Sequence, residues 1–380
     1  MERIRQANPF PAICGRICPA PCEEACIFYE EGASIGIRTL ERYAADMGKS
    51  KLPRAKPVEK GKKIAVIGAG PAGMSAAYFL VREGYAVTIF EAMSEPGGLL
   101  RYGVPEFRLP QKILDEQIEE LKSLGVEIVT NCLAGRTLAM QEVFAQGHAA
   151  VLLTVGAGLP NFSEISGYNC SGVYYAEEFL LRAQMMGKSR TAGGCEQMLG
   201  GSQTVVIGGG ASALDAARLA RRCGQQVNVI FHGLEEQFGV RSDDLQAAIE
   251  EGIGLHAPME VLSIEGDGEG CVKGVHCRRL DVVEKDGKLS LEPSVDGAVF
   301  MEAQTVVLSQ GRRPNNSLRR ELPQLKWQED GRIWVDPQTG LTNLENIFAA
   351  GNVATGAGAV VDAIASGKLA AQKIMEFLSK

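Results

Sequence analysis

Hydrophobic and polar positions first fall into a regular order at residue 64. The apolar run at 64–67 is typical of a buried parallel strand. A glycine-rich turn at 68–73 follows, residues 72–82 predict a helix that ends at Gly84, and residues 86–90 predict another strand. This segment therefore predicts a strand–turn–helix–strand unit.

The same order returns near the middle of the chain. Residues 204–207 predict a strand, 208–210 a turn, and 212–222 a helix that Gly224 ends, after which 227–231 predict a further strand. Two such units predict an α/β protein with two nucleotide-binding domains.

Other segments predict elements around these units. Residues 266–297 are rich in Gly, Asp and Lys and predict surface hairpins. Residues 305–308 and 346–349 predict late strands, and residues 360–378 predict a closing helix.

Composition narrows the class of protein. The chain has 380 residues, which suggests two or three domains, and its 45% hydrophobic and 22% charged residues are ordinary for a globular protein. The net charge of −7 argues against nucleic acid as a partner. Residues 64–81 carry no charge over a length typical of a membrane span, but a buried strand and helix explain that run. No signal peptide is evident, so we expect a cytoplasmic protein that binds no membrane.

The first glycine turn has the dinucleotide-binding fingerprint. Gly68 permits the tight turn, Gly70 lets the backbone approach a pyrophosphate, and Gly73 allows close packing of helix on strand. Glu91 follows the second strand, where an acid hydrogen-bonds a ribose hydroxyl. The alternative is a purely structural turn, but the full register favours a nucleotide site.

The second glycine turn is a variant of this fingerprint. Ala213 takes the third glycine position, which is an accepted substitution, and the end of the second strand is followed by His232 rather than an acid. The missing acid argues mildly for NADP(H) over NAD(H). A degenerate domain that binds no nucleotide is the alternative. The residues assigned to this site are Gly208, Gly209, Gly210, Ala211, Ser212, Ala213 and His232.

Four thiols lie close together near the start of the chain, at Cys14, Cys18, Cys22 and Cys26. Their spacing of four matches one helix face, but Pro19 and Pro21 interrupt any continuous helix. An iron–sulfur cluster is the favoured interpretation; structural zinc, which favours CxxC pairs, and free thiols are the alternatives. The six other cysteines are scattered, and we expect most of them to be unreactive thiols.

Several segments resemble the FAD-binding motifs of two-dinucleotide flavoprotein reductases. They are the Pro-Ala-Gly end of the first turn, the segment 91–98, and a late motif at 346–352 and 358–368. Asn352 stands where those proteins usually have Asp, so one contact of the ribityl–phosphate region lacks its charge. The FAD-site residues that this resemblance implies are Gly68, Gly70, Pro71, Ala72, Gly73, Glu91, Gly98, Leu99, Gly351, Asn352, Val360 and Val361.

Two further motifs resemble glutamate synthase small subunits and their relatives. They are Asn8-Pro-Phe-Pro-Ala-Ile-Cys14-Gly-Arg-Ile-Cys18-Pro and Gly97-Gly-Leu-Leu-Arg-Tyr-Gly-Val-Pro-Glu-Phe-Arg-Leu-Pro110. The relatives include the large subunit of NADH-dependent ferredoxin:NADP oxidoreductase and the N-terminal part of dihydropyrimidine dehydrogenase. The resemblance spans nearly the whole chain.

Two features of the head differ within this group. Family heads usually carry an earlier cysteine group, whereas this chain begins after it, so we expect its own head cysteines to complete at most one [4Fe-4S] cluster. Some relatives complete a cluster with Glu or Gln after the cysteine run, and Glu41 stands at that place. An exposed helix carboxylate is the alternative role for Glu41.

The resemblance implies an architecture of two Rossmann-like domains with a small α-helical iron–sulfur head. The expected boundaries are 1–50 for the cluster head, 51–63 for a linker, 64–165 with 300–380 for the FAD-binding domain, and 166–299 for the NAD(P)-binding domain.

The function implied is a flavin-dependent NAD(P)H oxidoreductase subunit. It would pass electrons between the nicotinamide cofactor, FAD and a [4Fe-4S] cluster, to or from a ferredoxin-like or other iron–sulfur subunit. An electron-bifurcating complex is one setting for such a subunit. We expect no acid–base triad, because the cofactors carry the chemistry. The alternatives are a glutamate synthase small subunit and a non-enzymatic scaffold with a zinc head.

Overall fold

The computed structural model describes residues 1–29, 32, 34–48, 61–188, 199, 201–285, 288–315 and 317–379. Most of the predicted linker 51–63, and Cys195, lie outside the described residues.

The helices of the described residues are α1 (Glu2–Arg5), α2 (Pro11–Ile17), α3 (Pro21–Glu24), α4 (Ile37–Met47), α5 (Pro71–Arg82), α6 (Leu99–Tyr102), α7 (Gln111–Ser123), α8 (Met140–Ala145), α9 (Ala176–Lys188), α10 (Ala211–Arg222), α11 (Ser242–Glu250), α12 (Leu318–Glu321), α13 (Asn352–Thr355) and α14 (Val360–Leu378). The strands are β1 (Lys63–Ile67), β2 (Ala86–Phe90), β3 (Glu127–Val129), β4 (His148–Leu153), β5 (Leu159–Pro160), β6 (Val173–Tyr175), β7 (Gln203–Ile207), β8 (Gln226–Ile230), β9 (Gly254–His256), β10 (Met259–Gly266), β11 (Val272–Lys285), β12 (Lys288–Glu302), β13 (Thr305–Leu308), β14 (Arg312–Arg313) and β15 (Ile347–Ala349).

The chain divides into two compact units. Unit 1 comprises 1–101, 106–159 and 312–380, and unit 2 comprises 102–105 and 160–311. The helices α1–α4 of the head therefore belong to the same unit as the first glycine turn.

Unit 1 is built on a five-stranded parallel sheet in the order β15-β4-β1-β2-β3. Its central strands are almost wholly buried, which explains their continuous apolar runs. The helix α5 connects β1 to β2 and packs against the closing helix α14. The uncharged run 64–81 is therefore a buried strand followed by a buried helix, and no helix among the described residues is both long and apolar enough to cross a membrane.

Unit 2 repeats this plan with a second five-stranded parallel sheet, in the order β6-β13-β7-β8-β9. The helix α10 connects β7 to β8 as α5 connects β1 to β2. An antiparallel sheet, β10-β11-β12, forms a second layer, and apolar residues of the two sheets share one core cluster. The two-dinucleotide α/β architecture predicted from the sequence is confirmed.

Several details differ from the sequence-based expectations. The region 266–297 forms most of one long hairpin, β11–β12, rather than several short ones. The predicted strand 227–231 ends at Ile230, so Phe231 lies beyond it, and β15 begins after Asn346, whose φ of +61° is left-handed. Of the scattered cysteines, Cys132, Cys170, Cys271 and Cys277 are free thiols, as predicted for most of them, whereas Cys223 at the end of α10 is disulfide-bonded.

Polar contacts at the C-terminal end of α1 hold the head to the rest of unit 1. Arg5 is buried and donates hydrogen bonds to both carboxylate oxygens of Glu120 in α7, one of them at 2.8 Å. Lys368 of α14 donates to the carbonyl oxygen of Gln6 at 2.9 Å. These contacts fix the start of the cysteine-bearing head against two helices of the first nucleotide-binding fold.

The pair formed by Arg5 and Glu120 generates a stability prediction. Replacing Glu120 with Gln leaves the buried guanidinium without its counter-charge, and we expect a loss of about 3 kcal/mol in the free energy of unfolding. The control is Glu119→Gln, because Glu119 pairs with Lys122 on the exposed face of the same helix and should change stability by less than about 0.5 kcal/mol. Urea unfolding of both variants measures the difference, and equal losses would contradict the assignment.

Candidate functional site

The first glycine turn leaves room for a ligand at its middle glycine. A Cβ on Gly68, whose φ is +109°, would lie 2.6 Å from the carbonyl oxygen of Thr154, and one on Gly73 would lie 2.0 Å from that of Gly68. At Gly70 a Cβ would meet no described atom within 4 Å. The turn is therefore closed at Gly68 by the backbone that follows β4 and at Gly73 by its own backbone, and it is open at Gly70, where α5 begins.

Glu91 is fixed beside this turn. Its Oε2 accepts a hydrogen bond from the backbone N–H of Ala69 at 2.7 Å, and its Oε1 accepts one from that of Met93 at 2.9 Å. The side chain is buried, and each oxygen keeps a lone pair for a ribose hydroxyl. Its position is the one that the fingerprint requires of the ribose-binding acid.

The segment after Glu91 folds back over the turn. The N–H of Gly97 donates to the carbonyl oxygen of Ala69 at 2.9 Å, and a Cβ on Gly98 would lie 3.0 Å from the Cα of Gly70. Leu99 follows as the first residue of α6. Gly98 is thus brought to the open part of the turn.

The late motif reaches the start of α5 from another direction. A Cβ on Gly351 would lie 2.7 Å from the Cβ of Ala72, and the N–H of Gly351 donates to Ser366 Oγ at 2.9 Å. The backbone of α14 approaches the same residue at Gly367. Of the other residues predicted for the FAD site, Asn352 is the first residue of α13, and Val360 and Val361 are the first two residues of α14.

The second glycine turn has the same construction in unit 2. Gly208 has a φ of +141°, and a Cβ there would lie 2.4 Å from the carbonyl oxygen of Ser309. A Cβ added to Gly210 would meet no described atom within 4 Å, so the turn is open at this glycine.

The helix α10 begins directly at this opening. Ala211 and Ser212 are its first residues, and Ala213 is buried in the third glycine position. Because both turns provide an unobstructed backbone at a helix start, both fit the diphosphate of a dinucleotide.

The end of β8 contains a functional candidate that the sequence reasoning missed. His232 is exposed, and the residue that directly follows the strand is Phe231. The aromatic ring of Phe231 lies against Gly209. The sequence pattern predicts that this strand ends at Phe231, one residue too late. It therefore does not identify Phe231 as the first residue after the strand.

The four head cysteines have different environments. Cys14 and Cys18 are buried, Cys26 is partly buried and Cys22 is exposed. Burial, followed by the negative charge of Glu41, raises the pKa of the Cys14 thiol to about 12, and burial likewise raises the pKa of Cys18. Cys18 Sγ accepts a hydrogen bond from the N–H of Ala20 at 3.4 Å.

Glu41 is not an exposed helix carboxylate. It is partly buried, its Oε1 accepts a hydrogen bond from Asn8 Nδ2 at 2.7 Å, and burial raises its pKa. Its charge also acts on Cys14 and Cys18, so the carboxylate lies near the buried thiols. A ligand role for Glu41 stays a prediction.

The donor chemistry of the head fits an iron–sulfur cluster, because four thiols and a carboxylate lie in or shortly after the helices α2, α3 and α4. Within the described residues, no three His, Cys, Asp or Glu side chains form a group that would hold a single metal ion. The head cysteines, as the structure describes them, therefore do not converge on one point.

Two known families match this chain. A family described as Pyridine nucleotide-disulphide oxidoreductase matches residues 62–367. A second family, described as Dihydropyrimidine dehydrogenase domain II, 4Fe-4S cluster, matches residues 1–52.

Characterised relatives match nearly the whole chain. The glutamate synthase [NADPH] small chain of Escherichia coli is 32% identical over 99% of this chain and 82% of its own length. The NAD-dependent dihydropyrimidine dehydrogenase subunit PreT of the same species is 32% identical, over 99% and 84%. The NADP(+)-dependent formate dehydrogenase subunit beta of Moorella thermoacetica is 31% identical over 99% of this chain, which spans only 55% of that protein.

Solved structures share the fold. FprA of Mycobacterium tuberculosis, in complex with NADPH, superposes with a TM-score of 0.68 at 20% identity, over 84% of this chain and 85% of that one. Thioredoxin reductase of T. acidophilum gives a TM-score of 0.60 at 21% identity, over 84% and 100%. Both support the two-dinucleotide architecture.

The open glycines generate a matched pair of predictions. Gly70→Ala and Gly210→Ala each add one methyl group, which meets no described protein atom within 4 Å. In each variant this methyl group would occupy the space proposed for a diphosphate. We expect Gly70→Ala to weaken FAD binding at least ~10-fold while nicotinamide nucleotide binding is kept, and Gly210→Ala to do the reverse. Flavin content after gel filtration and nucleotide titration measure both. Loss of flavin from both variants alike would contradict the assignment of the two turns.

Proposed function

We propose that this chain, which belongs to the pyridine nucleotide-disulphide oxidoreductase family and to its glutamate synthase small chain group, carries electrons between a nicotinamide nucleotide and an iron–sulfur partner subunit. The chain is an oxidoreductase that uses FAD, a nicotinamide nucleotide and a [4Fe-4S] cluster. Bound flavin supplies hydride exchange with the nicotinamide and single-electron exchange with the cluster. The observation that carries the proposal is the presence, in one chain, of two open glycine turns and a cysteine head docked on the first of the two folds.

Each unit has a separate task in this proposal. In unit 1 the backbone at Gly70 would bind the FAD diphosphate, Glu91 would bind its ribose, and Gly351 with Asn352 would close the flavin end. In unit 2 the backbone at Gly210 would bind the diphosphate of the nicotinamide nucleotide.

The head would hold the cluster through Cys14, Cys18, Cys22 and Cys26, with Glu41 as a further ligand. Contacts between Arg5 and Glu120 and between Gln6 and Lys368 support a fixed place for the head beside the FAD fold. We place the protein in the cytoplasm as part of this proposal, because the thiolate ligands that the proposed cluster needs stay reduced in that compartment.

An apolar surface of the head supports a protein partner. We call it the apolar head face; its exposed members are Ile27, Phe28, Tyr29, Ile35, Ile37, Leu40, Tyr43 and Met47. The helix α4 has no fully buried residue, although one of its sides is strongly apolar. The exposed Cys22 lies in the same head, so a partner covering this face would be near the proposed cluster.

A glutamate synthase small subunit is the second candidate. The 32% identity with that chain of Escherichia coli, over 82% of its length, favours it. In that case the electrons would pass to a glutamine-dependent large subunit instead of a ferredoxin-like one. The zinc-scaffold alternative is set aside, because the family matches are to oxidoreductases and to a 4Fe-4S domain.

The cluster assignment predicts the effect of a cysteine substitution. Cys22→Ser, in protein purified without oxygen, should lose iron and acid-labile sulfide and keep its FAD, because the flavin fold lies outside the head. The control is Cys271→Ser, which removes the other exposed free thiol among the described residues and should leave iron, sulfide and flavin unchanged. Iron retained in Cys22→Ser would argue against its ligand role.

The partner proposal predicts a selective loss of rate. Leu40→Lys places a charge in the apolar head face, and we expect at least a ~10-fold slower NADPH-driven reduction of a ferredoxin with no change for a small dye. Leu289→Lys, at a comparably exposed leucine of β12, should alter neither rate. A Leu40→Lys protein that reduces ferredoxin normally would contradict this docking surface.

A further inference from the structure

The two glycine turns provide an internal comparison, because their strands end in equivalent ways. The N–H of Gly68 donates to the carbonyl oxygen of Phe90 at 2.8 Å, and that of Gly208 donates to Ile230 at 2.9 Å. The residue that follows each strand donates its N–H to the neighbouring strand: Glu91 to the carbonyl oxygen of Val129 and Phe231 to that of His256.

Glu91 and Phe231 thus occupy the same backbone position in the two units. A carboxylate stands there in unit 1, and an aromatic ring stands there in unit 2.

The side chains at this position also point to the same part of their turns. The carboxylate of Glu91 accepts from the N–H of Ala69, the residue after the first glycine. The ring of Phe231 covers the corresponding residue, Gly209, so closely that a Cβ there would lie 2.4 Å from Phe231 Cδ2. Phe238 packs on the ring with 4.6 Å between centroids. The place of the ribose-binding acid is therefore filled.

This exchange changes what the second turn recognises. A carboxylate at this position accepts hydrogen bonds from the ribose diol and repels a 2′-phosphate, whereas an aromatic ring does neither. The diol of NAD(H) therefore loses its acceptor in unit 2. The 2′-phosphate of NADP(H) meets no carboxylate at that point.

The loop after Phe231 is held against the turn and brings charged groups to this end of it. The N–H of Gly239 donates to the carbonyl oxygen of Gly209 at 2.8 Å. His232 lies at one end of the loop, and Arg241 lies at the other.

The charges of this loop are of both signs. Arg241 bonds Asp243 at 3.0 Å. Glu235 and Glu236 are exposed on the 3-10 turn between His232 and Arg241.

We propose that Phe231, seated on Gly209, determines the nucleotide preference of the second site and makes it select NADP(H) over NAD(H). The inference rests on the proposed function only in assigning a nicotinamide nucleotide to unit 2. It adds the residue that discriminates and the part of the nucleotide that it reads.

The test uses fragments that carry only the adenosine half of each nucleotide. Calorimetry on the full-length holoprotein should show that adenosine 2′,5′-bisphosphate binds at least ~10-fold more tightly than 5′-AMP. In Phe231→Glu the new carboxylate should bind the diol and repel the 2′-phosphate. The ratio of the two affinities should then fall by about 100-fold, which corresponds to about 2.7 kcal/mol.

Two further variants separate recognition from damage to the fold. Phe231→Leu keeps an apolar side chain and should retain the wild-type ratio, and Phe231→Gln should gain affinity for 5′-AMP with a smaller loss for the bisphosphate. Because Phe231 lies in unit 2, retained binding of either fragment reports that unit 2 of each variant is folded.

A wild-type protein that binds 5′-AMP as tightly as the bisphosphate would overturn the proposal, as would a Phe231→Glu protein with an unaltered ratio. Failure of the proposed function has a different signature: the fragment ratio would be as expected, but no nicotinamide nucleotide would reduce the flavin.

Discussion

At Gly367 the closing helix α14 approaches the start of α5 so closely that a Cβ would lie 2.1 Å from the carbonyl oxygen of Ala72. This backbone contact constrains the whole flavin fold, because α5 begins at the glycine turn and α14 follows the late motif. Gly351 meets Ala72 in the same place, and Ser75 Oγ donates to the carbonyl oxygen of Ile364 at 2.8 Å. Segments nearly 300 positions apart along the chain are thus fixed around one opening, at Gly70. The closing helix α14, together with α7, also fixes the position of the head, because these two helices bind its first residues.

Local patterns were sufficient to predict the elements that form this frame. The helix predicted at 360–378 is α14 residue for residue, and the strand predicted at 305–308 is β13. These elements could be predicted because buried parallel strands are short apolar runs and because glycines mark where helices begin or end. The long hairpin β11–β12 was harder, because its exposed strands are polar and carry no continuous apolar run.

What the sequence could not give was the partner of each polar side chain. The bond between Arg5 and Glu120 joins residues 115 positions apart, and no periodicity relates them. Glu41 was placed by resemblance, but its burial and its bond to Asn8 depend on how α4 packs on α2. The importance of Phe231 depends on a strand boundary, and such boundaries are the least certain part of any pattern reading. In each case the missing information is tertiary contact.

In the proposed function, one chain combines a flavin, a nicotinamide site and an iron–sulfur head in a single path for electrons. The most direct measurement is the content of FAD, iron and acid-labile sulfide per chain in protein purified without oxygen, followed by anaerobic titration with NADPH and with NADH. We expect one FAD and about four irons with sulfide per chain, and bleaching of the flavin on addition of nicotinamide nucleotide. Zinc without sulfide, or a flavin that neither nucleotide reduces, would contradict the proposed function.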